Sequence, residues 1–201
     1  MSQLYLVRHG QTLFNVLRRK QGWCDSPLTE VGIKQVHLAG KALRERGVTF
    51  DHFYSSPAER ACDTLEIVLD ELGLTGAPYE RVKGLKEQNF GVFEGLTEDT
   101  NPPRGTLGFY AQFGGESEEE AAARMAACMA ELMAREGHER VLAAVHGGVL
   151  WFTLLAAGKE HLARLDNPQP IPNAAILVCD WDGSYLTPVE LIDPAEGQGV
   201  C

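Results

Sequence analysis

The sequence predicts an α/β fold: a three-layer sandwich in which a mainly parallel, mixed sheet carries helices on both faces. Three observations predict it. Short apolar runs of strand length alternate along the chain with longer segments that repeat apolar residues at helical spacing. Two of those runs, Leu4–Val7 and Val141–Val145, are apolar without alternation, as strands covered on both faces are. A late pair of runs joined around Asp182-Gly183 reads as a hairpin, which makes the sheet mixed. At 201 residues the chain has the length of one domain with a sizeable core, and it shows no internal repeat, low-complexity tract or long linker.

The first strand starts almost at the N-terminus. Its polarity flips at the carboxyl end to Arg8-His9, and Gly10 permits a tight turn before Thr12 and Asn15 in a first loop. Thr29 caps a helix that runs to about Arg46, with Gly47 just past its end. Ile33, Val36, Ala39, Gly40 and Leu43 form its apolar stripe. Phe50–Tyr54 reads as the second strand and leads into Ser55-Ser56-Pro57. Ser56 is a natural N-cap and Pro57 a natural first helical residue. The helix that follows carries Ala61, Leu65, Val68, Leu69 and Leu72 on one face and stops at Gly73.

Tyr79–Val82 is a short third strand. Leu85–Leu96 is loop-like, and Pro102-Pro103 excludes a continuous helix over Thr97–Gly115. Ser117 and Glu120 form a capping box for a helix to about Arg135, with Ala122, Met125, Met129, Leu132 and Met133 on its core face. The acidic run Glu118–Glu120 complements the dipole of that helix. Arg140–Val145 is a strand that ends in His146-Gly147-Gly148, with an apolar helix from about Val149. Ala174–Trp181 and Tyr185–Ile192 are the hairpin strands, and the tail after Asp193 is loose.

The formal charge is −10 and no basic block offsets it, which argues against a nucleic-acid partner. Arg18, Arg19 and Lys20 read as a solvated basic cluster. The five cysteines are odd in number and form no Cys-x-x-Cys pair, as expected of reduced thiols in a cytoplasmic protein. There is no charged-then-apolar leader and no run long enough to cross a bilayer, so no membrane partner is expected. No oligomeric state follows from the sequence.

Three strand ends carry chemistry: Arg8-His9, Ser56-Pro57 leading to Arg60, and His146-Gly147. Right-handed crossovers bring all three to one edge of the sheet, where ligands of such folds bind. Arginine offers paired donors to phosphate oxygens, and Arg60 falls in a first helical turn that also favours anions. The grouping suits a phosphoryl group. A metal shared by His9 and His146 is the rival reading. It lacks a His-x-x-x-His spacing and sets a cation beside two arginines, so no metal is expected. His37, His52, His138 and His161 read as surface residues.

These motifs, Arg8-His9-Gly10-x-Thr12-x-x-Asn15, Ser55-Ser56-Pro57-x-x-Arg60-Ala61 and His146-Gly147, resemble the histidine phosphatase superfamily with its phosphoglycerate mutase-like fold. Leu85-x-Glu87-x-x-Phe90-Gly91-x-Phe93-Glu94-Gly95 and Gly114-Gly115-Glu116-Ser117 continue the resemblance in the same order. It implies His9 as nucleophile, Arg8, Arg60, His146 and Gly147 around the phosphoryl oxygens with Asn15 assisting, and Glu87 as the proton donor. Glu94 is the rival carboxylate and stands at the family's structural Glu-Gly position. No cofactor is implied, and the partner is a small phosphorylated substrate.

Mutases of the superfamily follow the acid with Arg-His-Tyr and carry a long basic insertion. This chain has Gln88-Asn89-Phe90, and over Leu96–Gly115 its only basic residue is Arg104. Many relatives also have an arginine after the His-Gly pair, where this chain reads Val149-Leu150-Trp151. The expectation is a metal-independent phosphomonoesterase. The alternatives are a 2,3-bisphosphoglycerate-dependent phosphoglycerate mutase and a non-catalytic phosphate-binding module.

Overall fold

The computed structural model describes residues 2–103, 106–158 and 171–195. Six strands form one sheet: β1 (Ser2–Arg8), β2 (His52–Ser55), β3 (Glu80–Arg81), β4 (Arg140–Val145), β5 (Ile176–Trp181) and β6 (Leu186–Ile192). Their order is β3-β2-β4-β1-β5-β6. The first four run parallel, and β5 is antiparallel to both neighbours, so the sheet is mixed as predicted.

The unbroken apolar runs work as two-sided strands. Leu4 and Leu6 enter one core with Val141, Ala143 and Val145, while Tyr5 and Val7 enter the other with Leu142 and Ala144. Helices α2 (Glu30–Glu45) and α3 (Glu59–Glu71) cover the second face with Val36, Leu43, Leu65 and Val68. Helices α4 (Glu118–Met133) and α5 (Gly147–Ala157) cover the first with Met125, Met129, Leu150 and Leu154. Leu6 and Leu142 are fully buried on opposite faces. Shortening either to Ala would cost about 2–5 kcal/mol in transfer and cavity terms.

Several local expectations change under tertiary constraints. Ser56 does not cap α3: Ala58 occupies the N-cap position without a side-chain bond, and the Ser56 hydroxyl turns to His146 instead. A short helix α1 (Leu13–Val16) forms in the first loop, with Thr12 and Asn15 as a reciprocal capping box. Ile33 is 38% exposed, outside the stripe of α2. Ala121 is buried on α4 where Ala122 was expected. The hairpin strand starts at Ile176, because Ala174 takes a left-handed φ of 60°.

Lys20 is not on a solvated face. It is buried, and Nζ donates to the Thr97 carbonyl and to the Thr100 hydroxyl. His138 is buried too, stacked on His52 at 3.7 Å between ring centroids and bonded to the Tyr54 hydroxyl. His161, Arg104 and Cys201 lie outside the described residues.

The loop after β1 is held close to α2. A Cβ at Gly10 would stand 2.5 Å from the Gly32 carbonyl oxygen, and one at Gly32 would stand 2.0 Å from that of Gln11. Both glycines are therefore steric requirements of the turn that carries His9.

Candidate active site

Parallel pairing of β1 with β4 sets Arg8 opposite Val145, so the residues after each strand emerge side by side. His9 and His146 meet there edge to face, with ring centroids 5.4 Å apart. The end of β2 adds Ser56, and the first turn of α3 adds Arg60. The three predicted strand ends thus converge on one edge of the sheet.

His9 is buried, and its Nδ1 lies 2.8 Å from the Gly10 carbonyl oxygen. A carbonyl can only accept, so Nδ1 donates and Nε2 keeps a lone pair. Burial holds the ring well below the usual histidine range, and the charges of Arg60 and Arg8 push it further. His9 is therefore neutral at pH 7 and presents a competent nucleophile.

Arg8 donates through one terminal nitrogen to the Ile171 carbonyl, while its Nε is buried without a partner. Burial and the nearby Arg60 charge pull its pKa down to about 10, against the opposing pull of Glu87, so it stays cationic at neutral pH. Arg60 is fully buried and mostly committed to the loop after α1. One terminal nitrogen donates to the Cys24 carbonyl at 3.0 Å and to Asp25 at 2.8 Å. The other donates to the Gln21 and Gly22 carbonyls at 3.2 and 2.9 Å. Only Nε is left unpartnered, so Arg60 offers a single donor in place of the expected fork. His146 is fully buried, with Nε2 at 2.7 Å from the Ser56 hydroxyl and Nδ1 unpartnered.

Arg8 Nε, Arg60 Nε and His146 Nδ1 are the only buried side-chain polar atoms without a partner among the described residues. Each such orphan costs about 1–3 kcal/mol in an ordinary interior. All three belong to residues whose charges act on His9 or whose ring packs against it. A tetrahedral oxyanion would offer acceptors to the two guanidinium nitrogens.

Glu87 is buried within reach of the Arg60 and Arg8 charges. Its Oε1 accepts from the Gln88 N–H at 2.9 Å and its Oε2 from the Gly148 N–H at 2.8 Å. Burial raises its pKa, and the two N–H groups, Arg60 and Arg8 only partly offset that. A Cβ at Gly148 would stand 2.0 Å from Oε1, so the second glycine of the His-Gly-Gly turn is what admits the carboxylate. The rival Glu94 accepts backbone N–H groups from Gly22, Trp23, Cys24 and Phe90 at 2.7–3.2 Å. It ties two loops together, with both carboxylate oxygens taken up by backbone N–H groups.

Sequence reasoning missed three supports. Trp23 Nε1 and Arg124 each donate to the Glu87 carbonyl at 3.1 Å. Arg124 also holds the Gly84 and Lys86 carbonyls at 2.9 Å and pairs with Glu116 at 2.7 Å, which clamps the Glu87 segment onto α4. Its signal was present as the only basic residue of an alanine-rich helix. Ser56, the third, looked like a cap.

A cavity of about 620 Å³ opens over Arg8, His9, Asn15, Glu87, Gly147 and Gly148. Arg60 and His146 are fully buried beside it, with the His146 ring packed against that of His9. Asn15 Oδ1 is occupied by Thr12 and Asn173, which leaves its amide nitrogen for an anion. Phosphate or orthovanadate should therefore stabilise the fold. At about a hundred times Kd the melting temperature should rise by roughly 5–10 °C, read by differential scanning calorimetry. No shift with either anion would remove the oxyanion reading.

The chain is similar in sequence and fold to known proteins. A probable phosphoglycerate mutase from Yersinia pestis is 39% identical over 182 residues, which cover 83% of this chain and 82% of the relative. A phosphoglycerate mutase from Bacillus anthracis superposes with a TM-score of 0.77 at 26% identity, covering 94% of this chain and 91% of that one. A mycobacterial glucosyl-3-phosphoglycerate phosphatase superposes with a TM-score of 0.72 at 26% identity, covering 94% and 98%. The profile of the histidine phosphatase superfamily (branch 1) matches residues 4–194, and the chain belongs to that superfamily.

Proposed function

We propose that the protein is a phosphomonoesterase that hydrolyses a small organic phosphate through a phosphohistidine on His9. The observation that carries this reading is the pairing of a neutral His9, its Nε2 lone pair intact, with two unpartnered buried guanidinium donors, Arg8 Nε and Arg60 Nε, and the unpartnered His146 Nδ1. In the first step Nε2 attacks phosphorus, the ester P–O bond breaks, and protonated Glu87 gives its proton to the leaving oxygen. In the second step water attacks the phosphohistidine, ionised Glu87 takes a proton from it, and the P–N bond breaks. Inorganic phosphate leaves, and His9 and Glu87 return to their starting states. Arg8, Arg60, His146, Asn15 and the Gly147 N–H hold the phosphoryl oxygens. These groups stabilise charge that develops in the transition state, the term that usually dominates catalysis.

The outer cavity supports hydrolysis over mutase chemistry. Phe90 and Tyr110 meet edge to face there at 4.9 Å, beside Pro102 and Pro103. Lys20 reaches this wall already bonded to Thr97 and Thr100, and Arg19 donates to the Gly95 carbonyl. Glu98 and Glu118 also line this space. A mutase must hold a second anionic group through both half-reactions, and among the described residues the outer lining offers as cations only Arg19 and Lys20, each already bonded to a backbone carbonyl. The cysteines described, Cys24, Cys62, Cys128 and Cys179, are free thiols, which supports a reducing, cytoplasmic setting.

Assay of phosphorylated metabolites in the presence of EDTA tests the proposal. Phosphate release should far exceed interconversion of 2- and 3-phosphoglycerate, and EDTA should leave the rate unchanged. Efficient interconversion that needs 2,3-bisphosphoglycerate, with little phosphate release, would establish the mutase instead, the activity named for the Yersinia relative.

A further inference from the structure

His146 can donate to a phosphoryl oxygen only from the ring nitrogen that carries its proton. Its two nitrogens have different surroundings. Nδ1 is buried and unpartnered, as are Arg8 Nε and Arg60 Nε. Nε2 faces the Ser56 hydroxyl at 2.7 Å. Ser56 is itself fully buried, and its backbone is held on both sides of the contact. Its carbonyl accepts from Ser55 Oγ at 2.8 Å and from the Cys62 thiol at 3.4 Å. Its N–H donates to the Ala144 carbonyl at 2.9 Å, on the strand that ends at His146.

Two proton arrangements fit a 2.7 Å contact. If Nε2 carried the hydrogen, Ser56 Oγ would receive it in addition to the Ala58 N–H, which already approaches at 3.4 Å. The Ser56 hydrogen would then have no acceptor, and Nδ1 would be a buried lone pair with no donor. If Ser56 donates to Nε2, its hydroxyl is satisfied as both donor and acceptor, and the proton of a neutral ring sits on Nδ1. Burial, Arg60, His9 and Arg8 all disfavour the doubly protonated ring. The second arrangement leaves one orphan donor in a site assembled from donors.

We infer that Ser56 is a positioning residue whose hydroxyl holds His146 as the Nδ1–H tautomer, so that Nδ1 donates to the transferring phosphoryl group. The inference rests on the phosphoryl-transfer reading of the site. It also accounts for the uncapped start of α3. The sequence places Ser56-Pro57 where a cap belongs, yet the hydroxyl is withdrawn from capping and spent on His146. Fixing a histidine tautomer through its second nitrogen is a general way to set which face of the ring reacts.

The test reads the tautomer directly. Histidine labelled with nitrogen-15 is observed by long-range proton–nitrogen NMR in the substrate-free enzyme, and the His146 signals are assigned by their loss in His146→Asn. The wild type should show a protonated Nδ1 and an unprotonated Nε2. Ser56→Ala should move His146 to the Nε2–H form or to a mixture. The same variant should weaken orthovanadate binding about tenfold to a hundredfold, short of the full loss of a preorganised donor. Ser56→Ala combined with His146→Asn should bind vanadate no more weakly than His146→Asn alone, because residues that act as one unit are non-additive.

An Nε2–H ring in the wild type would overturn the inference, and that spectrum decides alone if Ser56→Ala fails to fold. Additive losses in the double variant would overturn it as well. An Nδ1–H ring in a protein that forms no phosphoenzyme would refute the proposed reaction and leave the tautomer assignment to Ser56 standing.

Discussion

His9→Ala is expected to abolish turnover, with a loss on the order of a millionfold, the scale seen when an enzyme nucleophile is removed. The geometry gives the reason. With Nδ1 bonded to the Gly10 carbonyl, only Nε2 is free to form a bond to phosphorus. Wild-type protein quenched during turnover of a nitroaryl phosphate should carry an acid-labile, alkali-stable phosphoryl group, and His9→Ala should carry none. Labelling of His9→Ala at the wild-type level would transfer the nucleophile's role to His146.

The same variant should change the response of stability to acid. His9 is held neutral in the folded protein, with a pKa well below 6.5, while the unfolded chain takes up its proton near the ordinary value. The unfolded state thus binds more protons below about pH 6.5, and stability falls as pH drops through that window. Removing His9 should flatten part of this fall, as measured by urea unfolding at pH 7 and pH 5. His146, depressed for the same reason of burial among cations, should supply the remainder.

Glu87→Gln should separate substrates by their leaving groups. A general acid matters most when the departing oxygen is strongly basic. An alkyl phosphate should therefore lose about a hundredfold or more, the usual worth of a positioned acid. Phosphorylation by a nitroaryl ester should suffer much less. Its later hydrolysis should still slow, because the same carboxylate is the base for water. Rapid mixing should then show a burst followed by a slow steady state. Equal losses in the phosphorylation step for both esters would mean that Glu87 positions the substrate without donating a proton.

The pH profile carries the same signature. Glu87 must be protonated for the first step, and burial raises its pKa above 4.5. For an alkyl phosphate, kcat/KM should therefore fall as pH rises through that raised value. The acid limb, set by His9, should lie well below pH 6.5. Glu87→Gln should lack the Glu87 limb. Glutamine places an NH2 group against either the Gln88 or the Gly148 N–H, so its melting temperature should be measured beside the rates.

The alternation of strands and helices, the two-sided burial of β1 and β4 and the arrival of three polar strand ends at one edge were legible in the sequence. Each rests on local periodicity or on the handedness of crossovers, which need no knowledge of distant contacts. His9, His146 and Glu87 were legible for the further reason that they sit in motifs at strand ends and in an acid-bearing loop. Lys20 and His138 were misread as surface residues. What buries them, the Thr97–Thr100 segment and the His52–Tyr54 strand, lies about 80 residues away.

The sequence by itself determined the sheet, the edge on which the site forms and the residue types that meet there. Hydrophobic period, glycine turns and capping chemistry act over a few neighbouring residues and read the same in any context. Only the tertiary structure decided how the donors of those residues are divided. It spends four contacts of Arg60 on the Gln21–Asp25 loop and keeps Nε for the site. It gives Glu94 to backbone amides, clamps the Glu87 segment through Arg124, and takes the Ser56 hydroxyl from a helix cap to His146. A hydrogen bond needs its partner within about 3 Å, and in each of these cases the partner comes from a segment that the chain reaches only by folding.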